Sequence, residues 1–174
     1  MSDKKILVTR SSMPSIEEYI EEYLERICNK KELSLILIEF LKKDYQVFIF
    51  CPTIDECEEL YKIIKPFIKG KGAFVHSKNK DREEIISKFK KGEYRYLVTT
   101  SVLERGVTVK NIQVIVVSAD SPIYTDGTLV QIAGRVGRKL DAFDGEIIFL
   151  CDKEEENVIE AIRKINEANE YVDL

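Results

Sequence analysis

The sequence of 174 residues has no tryptophan, a single histidine and only four cysteines. The cysteines at positions 28, 51, 57 and 151 form no C-x-x-C pair, and His76 lies far from all of them in the chain. Structural zinc sites draw on closely spaced cysteines and histidines. We therefore expect no metal site, and we interpret the cysteines as reduced, partly buried thiols.

Long apolar runs are also absent, since no segment approaches the roughly 20 residues that a membrane-spanning helix needs. The first five residues, Met1 to Lys5, lead into an apolar run of only three residues, Ile6–Val8. That run is too short for the core of a secretion signal. The sequence thus predicts a cytoplasmic protein with no transmembrane segment.

The composition that remains is 44% hydrophobic and 33% charged, which is typical of a soluble globular protein. No repeat, low-complexity stretch or long linker divides the chain. A single domain over residues 1–174 is therefore expected, with a strand and a helix in residues 1–30 leading into it.

The net charge of −4 argues mildly against nucleic-acid binding, but the charge is unevenly spread. Residues 95–139 hold six basic and three acidic side chains, whereas residues 152–174 hold three basic and eight acidic ones. The charge distribution is therefore compatible with a polyanionic partner but does not identify one.

Short apolar runs rich in β-branched residues alternate with helical patterns along the chain. The predicted strands are 6–9, 47–51, 73–75, 95–99, 112–117 and 146–150, and the predicted helices are 16–27, 32–41, 53–64, 81–90, 125–135 and 154–168. Thr53 is the expected N-cap of the third helix. Strands that are apolar throughout are covered on both faces, so we predict an α/β fold with a mostly parallel sheet between two layers of helices.

Two arginines stand three residues apart in the segment Gln131-Ile-Ala-Gly-Arg-Val-Gly-Arg138. The glycines beside Arg135 and Arg138 allow another surface to approach closely. Planar, forked guanidinium groups match the oxygens of a phosphoryl group. The alternative is a pair of surface arginines at a weakened helix end.

Hydroxyl side chains follow the predicted strands, at the edge where α/β sheets bind their ligands. Thr99, Thr100 and Ser101 end one strand, Thr53 follows another, and the pair His76-Ser77 follows a third. Such groups suit the phosphate backbone of a nucleic acid. Each cluster alone is also explained by helix capping or by an ordinary loop.

Together these clusters resemble the second RecA-like domain of superfamily 2 helicases. Gln131-x-x-Gly-Arg-x-x-Arg138 resembles motif VI, and Thr99-Thr-x-x-x-x-Arg-Gly106 resembles motif V. Phe50-Cys-Pro-Thr53 stands where motif IV would be, and His76-Ser77 where a backbone-contacting loop would be. The resemblance runs from about residue 31 to residue 150 and implies a RecA-like three-layer domain.

The resemblance also implies roles for individual residues. Arg135 and Arg138 would be catalytic arginine fingers on ATP, with Gln131 and Gly106 as further nucleotide-site residues. Thr53, His76, Ser77, Thr99 and Thr100 would contact the nucleic-acid backbone. Many members carry Asp two residues after the motif V glycine, whereas this chain has Thr108, which leaves a ribose contact there in doubt.

A closer resemblance is to the ComFA family of competence ATPases, which itself resembles the primosomal helicase PriA. It is carried by the segments 99–108, 121–125 and 129–138. It implies single-stranded DNA as the partner, DNA-uptake machinery at the membrane as a further partner, and a peripheral location at the inner face of the membrane.

No phosphate loop of the form G-x-x-x-x-G-K-[ST] occurs in the chain, and we expect no D-E-x-x box that holds magnesium. ATP and Mg²⁺ would then be held mainly by an N-terminal RecA-like domain of the same protein, and this chain alone would be inactive. Two alternatives stay open: half of an RNA or primosomal helicase, and a non-catalytic nucleic-acid-binding module.

Overall fold

A computed structural model describes residues 4–9, 45–66, 68, 70–100, 109, 112–134 and 145–170. Six strands and four helices lie in these ranges. The strands are β1 (Lys4–Thr9), β2 (Val47–Phe50), β3 (Gly72–Val75), β4 (Tyr96–Thr99), β5 (Gln113–Val116) and β6 (Gly145–Leu150). The helices are α1 (Ile54–Ile64), α2 (Arg82–Lys90), α3 (Asp126–Ala133) and α4 (Glu156–Glu170).

The six strands form one sheet in the order β1-β6-β5-β2-β4-β3, and every neighbouring pair is parallel. All four residues of each of β2, β4 and β5 are buried. A strand that is covered on both faces has no solvent-facing side chain, which explains why these segments show no polar alternation. The predicted parallel sheet is confirmed.

Helices cover both faces of this sheet. Alternate residues of a strand point to opposite faces, so Phe48 and Phe50 join the core beneath α2, α3 and α4, whereas Val47 and Ile49 join the core beneath α1. On the first face Phe89 of α2 is fully buried, and its ring stacks on Phe48 with centroids 5.0 Å apart. The three-layer α/β architecture predicted from the sequence is confirmed.

The ends of the helices differ slightly from the prediction. Helix α3 stops at Ala133, two residues before Arg135, and Gly134 at its C-cap donates its N–H to the carbonyl of Val130 at 2.9 Å. Helix α4 begins at Glu156 rather than at residue 154. The helices predicted over 16–27 and 32–41 lie outside the described residues.

The strands β3 and β4 approach closely at Gly72, which pairs with Tyr96. A Cβ atom at Gly72 would lie 2.0 Å from Cζ of Tyr96, whose side chain is fully buried. The carbonyl of Gly72 also accepts a hydrogen bond from the hydroxyl of Tyr61 at 3.1 Å. The tyrosine ring thus fills the space that a side chain at position 72 would need.

The three cysteines in the described residues, Cys51, Cys57 and Cys151, are buried thiols, more fully enclosed than the sequence predicted. The thiol of Cys57 lies 4.0 Å from the carbonyl oxygen of Cys51, at the turn between β2 and α1. Cys28 lies outside the described residues.

Candidate nucleotide and nucleic-acid site

The carboxyl ends of three neighbouring strands lie in one row. Thr99 of β4 pairs with Phe50 of β2 on one side and with Val75 of β3 on the other. The residues that follow these strands therefore leave the sheet at the same edge, where parallel α/β sheets bind ligands. The residues predicted to contact nucleic acid, at positions 53, 76, 77, 99 and 100, thus lie at or just after strand ends along one edge of the sheet.

Thr99 and Thr100 are nevertheless covered by protein, with exposures of 1% and 8%. The hydroxyl of Thr99 donates to the carbonyl of Thr100 at 3.2 Å, and the carbonyl of Thr99 accepts from the N–H of Cys51 at 3.0 Å. The backbone of Thr99 therefore helps to hold the end of β4 against the end of β2. The contact of Thr99 and Thr100 with a nucleic acid stays a prediction.

Thr53 caps α1, as the sequence predicted. Its hydroxyl oxygen accepts from the N–H of Glu56 at 3.2 Å, and the hydroxyl donates to the Glu56 carboxylate at 2.9 Å. This is a variant of the capping box, in which the cap and the third helical residue satisfy each other. The hydroxyl hydrogen of Thr53 is thus already bonded. That hydroxyl could donate to a phosphate only if its hydrogen bond to Glu56 were broken.

The letters D-E-x-x do occur once in the chain, as Asp55-Glu56-Cys57-Glu58. Asp55 and Glu56 stand in the first turn of α1, where negative charge complements the helix dipole. Across the described residues, no group of three or more His, Cys, Asp or Glu side chains is arranged to hold a metal ion. The segment therefore acts as a helix start in this structure.

The loop after β3 is closed by His76 and Asn79. The N–H of His76 donates to Oδ1 of Asn79 at 2.9 Å, and the N–H of Asn79 donates back to the carbonyl of His76 at 3.1 Å. Nδ1 of His76 accepts from the N–H of Lys78 at 3.1 Å. Ser77 and Lys78 at the tip of the loop are exposed.

The residues predicted to bind the nucleotide are only partly described. Gln131 lies on the exposed side of α3, whose buried residues are Leu129, Ile132 and Ala133. Gly106, Arg135 and Arg138 lie outside the described residues. Of this predicted nucleotide site, the structure therefore describes α3, the helix that precedes the two arginines in the chain.

Sequence reasoning missed the residues that fix the start of α3. Asn157 of α4 donates from Nδ2 to the carbonyls of Ala119 and Tyr124, at 3.0 and 2.9 Å. The Asp120 carboxylate accepts from the backbone N–H groups of Asp152 and Lys153, at 3.2 and 3.1 Å. The turn-forming composition of 118–122 could have indicated Asp120, whereas nothing in the periodicity of α4 distinguishes Asn157.

An ion pair adds to this attachment, since Lys164 of α4 contacts Asp126 in the first turn of α3. The hydrogen bond from Lys164 holds the pKa of the Asp126 carboxyl below its ordinary value. The ring of Tyr124, just before α3, is buried, which raises the pKa of its hydroxyl, and that hydroxyl has no hydrogen-bond partner among the described residues. The segment from β5 to α3 is thus anchored on α4.

We expect Asn157→Ala to lower the free energy of unfolding by about 1–2 kcal/mol, because two carbonyls lose their shared donor. Chemical denaturation followed by circular dichroism measures the change. Asn166 lies in the same helix and is exposed, so Asn166→Ala serves as the control. The control should change stability by less than about 0.5 kcal/mol. Equal losses in the two variants would contradict the role given to Asn157.

The six-stranded parallel sheet between helices is the architecture of RecA-like helicase domains. Residues 29–140 match the family described as the helicase conserved C-terminal domain, and the chain belongs to that family.

Among curated relatives, the chain is 38% identical over 134 residues to the competence protein ComFA of Bacillus subtilis, and 35% identical over 154 residues to ComFA of Streptococcus pneumoniae. These alignments cover 76% and 86% of this chain but only 29% and 36% of the relatives. The chain thus spans about a third of the length of these two ComFA proteins. The resemblance to ComFA predicted from the sequence is confirmed.

Solved structures show the same fold at lower identity. Domain 2 of the DEAD-box helicase Mss116p, bound to an RNA duplex, matches with a TM-score of 0.64 and 21% identity over 94% of this chain and 60% of that one. The E. coli DEAD-box protein SrmB, bound to the regulator RraA, matches with a TM-score of 0.64 and 16% identity over 92% and 85%. Among the described residues, no helix is long and apolar enough to cross a membrane.

Proposed function

We propose that this chain is the C-terminal motor domain, over residues 1–174, of a larger ATP-dependent translocase or helicase that acts on single-stranded DNA. The proposal rests on one combination of sequence and fold. The segments 99–106 and 131–138 resemble motifs V and VI, and they occur in a chain with a RecA-like sheet whose strands β2, β3 and β4 end at one edge. Its similarity to the two ComFA proteins favours DNA uptake during competence.

In this proposal the nucleotide and the DNA backbone are contacted by different residues. Arg135 and Arg138 reach across a cleft to ATP and stabilise charge on the transferred phosphoryl group, and Gln131 and Gly106 complete this side of the nucleotide site. The contacts with the DNA backbone come from the strand-end loops, at positions 53, 76, 77, 99 and 100. Backbone contacts position a strand without reading its sequence.

ATP and Mg²⁺ are held mainly by an N-terminal RecA-like domain of the same protein. Two features support this division: the chain has no phosphate loop, and its D-E-x-x segment is part of a capping box. Closing and opening of the cleft between two such domains would then move the protein along a strand. A cytoplasmic location, peripheral to the membrane where DNA enters, follows from the same proposal.

The test is ATP hydrolysis by the full-length protein without nucleic acid, with single-stranded DNA, and with RNA of the same length. We expect DNA to stimulate turnover strongly and RNA to stimulate it weakly, and we expect no turnover by the 174-residue chain alone. Equal or stronger stimulation by RNA would favour an RNA helicase. Binding of nucleic acid without any hydrolysis would favour a non-catalytic binding module.

A further inference from the structure

Basic residues are concentrated in one stretch of the chain. Residues 62–95 hold eleven basic and four acidic side chains, a net charge of +7, although the whole chain carries −4. Part of this stretch lies where the strands of the sheet begin, at a border that we call the amino edge. The candidate site lies at the opposite edge, where the strands end. The amino edge is therefore a charged surface that the proposed function does not use.

Hydrogen bonds bring three cations together on the α1 side of the amino edge. Lys65 is the C-cap of α1, and its ammonium lies 5.6 Å from the centre of the Tyr61 ring. The hydroxyl of Tyr61 bonds the carbonyl of Gly72, at the start of β3. Lys71 directly precedes β3, and its carbonyl accepts a hydrogen bond at 2.7 Å from the N–H of Arg95, which directly precedes β4.

Two further cations lie on the other face of the sheet, where Lys90 and Lys91 end α2. Gln46, directly before β2, fixes this end, because its Nε2 donates to the carbonyls of Phe89 and Tyr94 at 2.7 and 2.8 Å. The cations thus extend from α1, across the starts of β3 and β4, to α2. This track crosses three layers and is roughly 20 Å long, since packed layers lie about 10 Å apart.

The lysines of the amino edge differ from the lysines one turn earlier in the same helices. Lys62 and Lys88 each pair with a glutamate four residues before them, Glu58 and Glu84. In the described ranges no carboxylate pairs with the exposed lysines at positions 65, 71, 90 and 91. Their charge is therefore available to a partner.

Helix stabilisation accounts for only part of this charge. A lysine at a helix C-terminus offsets the partial negative charge there, about half an elementary charge for each of α1 and α2. Glu93, exposed just after α2, supplies one more negative charge. Five cations against about two negative charges leave an excess of about three. Lys71 and Arg95 precede strands, so they cap no helix.

The amino edge suits an extended anion better than a compact one. Compact phosphates bind where several N–H groups converge, as at the N-terminus of a helix. Here α1 and α2 present their C-termini, whose free backbone groups are carbonyls. A free phosphate or nucleotide would therefore find cations at this edge but no converging N–H donors from these helices.

A membrane or a protein partner would need apolar anchors as well as charge. The large hydrophobic side chains that the described residues expose are Ile123 and Ile159. Both lie at the starts of α3 and α4, where the strands end. The described part of the amino edge thus offers charge without an exposed apolar anchor, which favours a nucleic acid, since its affinity comes mainly from phosphate neutralisation.

We propose that the amino edge is a second nucleic-acid site, which binds the phosphate backbone of a duplex. A duplex presents about one charge per 1.7 Å of its axis, so it matches a track of cations without any base contact. Single-strand sites add exposed aromatic faces on which bases stack, whereas Tyr45, Tyr61 and Tyr94 beside this edge are half-buried. The proposal goes beyond the proposed function, which uses a single strand at the opposite edge.

The test measures binding of a short fluorescent DNA duplex to the full-length protein by anisotropy, with and without saturating unlabelled single-stranded DNA. We expect the duplex to bind in both conditions, because the two sites lie at opposite edges of the sheet. Displacement of the duplex by the single strand would mean that both use one site, and the proposal would be overturned.

Two double variants show whether the amino edge makes the contact. Lys65→Ala with Lys91→Ala removes one cation at the end of each helix, and should lower the slope of log affinity against log salt by about two. Its affinity deficit should therefore widen roughly tenfold between about 200 and about 50 mM salt. Lys62→Ala with Lys88→Ala is the matched control, since it removes the same charge one turn earlier. Equal effects in the two double variants would contradict the proposal.

Vesicles that contain phosphatidylglycerol provide the membrane control. Binding of these vesicles without binding of the duplex would overturn the proposal in favour of a lipid surface. ATP turnover at saturating single-stranded DNA should be unchanged in the Lys65/Lys91 variant, and a loss would mean that the amino edge serves the single strand instead. If the unsubstituted protein shows no stimulation by single-stranded DNA, the proposed function is wrong, while duplex binding still decides this inference.

Discussion

Alanine at Arg135 or at Arg138 should lower the DNA-stimulated ATP turnover of the full-length protein by roughly 10³-fold or more, as for loss of an arginine finger. The physical reason is that each guanidinium offers two parallel N–H donors to oxygens on which charge develops during phosphoryl transfer. Steady-state turnover at saturating ATP and DNA is the measurement. ATP binding should largely survive, because the phosphates are held mainly by the other domain.

The adjacent cation supplies a matched control for these arginines. Lys139 follows Arg138 directly but lies outside the motif, so Lys139→Ala should retain most of the turnover. Arg135→Lys should stay strongly impaired, since lysine keeps the charge and loses the fork. Normal hydrolysis by both alanine variants would show that motif VI has been misread, and the binding-module alternative would then be favoured.

The second large effect is expected at Gly72, where alanine should lower the free energy of unfolding by about 3 kcal/mol. The added Cβ would lie 2.0 Å from Cζ of Tyr96, and that ring is fully buried, so the strands β3 and β4 must separate. Urea unfolding followed by circular dichroism measures the loss.

Gly127 is the control for this substitution, because its nearest atom to an added Cβ is Oγ1 of Thr125 at 3.7 Å, an ordinary contact. Gly127 lies in α3, where alanine is favoured over glycine by roughly 0.5–1 kcal/mol. Gly127→Ala should therefore stabilise the protein slightly. Unchanged stability in Gly72→Ala would mean that Tyr96 can move aside.

The elements of the sheet could be predicted from the sequence because burial on both faces leaves a direct trace in composition. The segment 47–50 is apolar throughout, and the structure shows all four of its residues buried. The order of strands could not be predicted in the same way. Whether β2 lies beside β4 or beside β3 depends on how helices cross over the sheet, and no residue of β2 encodes that choice locally.

The site was predictable only as a set of positions. Hydroxyl residues after strands pointed to one edge of the sheet, because parallel α/β sheets bind their ligands where the strands end, and the structure places those strand ends in one row. The contacts of His76 with Asn79 were missed because a bond between a side chain and the backbone leaves no periodic pattern. The burial of Thr99 and Thr100 was missed for a related reason: a hydroxyl residue at a strand end is as compatible with packing as with exposure.

The pairing of β1 with β6 has a practical consequence for anyone who trims this chain. The segment that matches the helicase family covers residues 29–140 and includes neither strand. A fragment cut to those limits would lack β6, which pairs with β5. The strand β5, whose four residues are all buried in the intact sheet, would then become an exposed edge strand. Unpaired N–H and C=O groups on an apolar edge strand form hydrogen bonds with other chains, so such a fragment should self-associate. A fragment that keeps residues 4–9 and 145–150 retains β1 as the edge strand of the sheet.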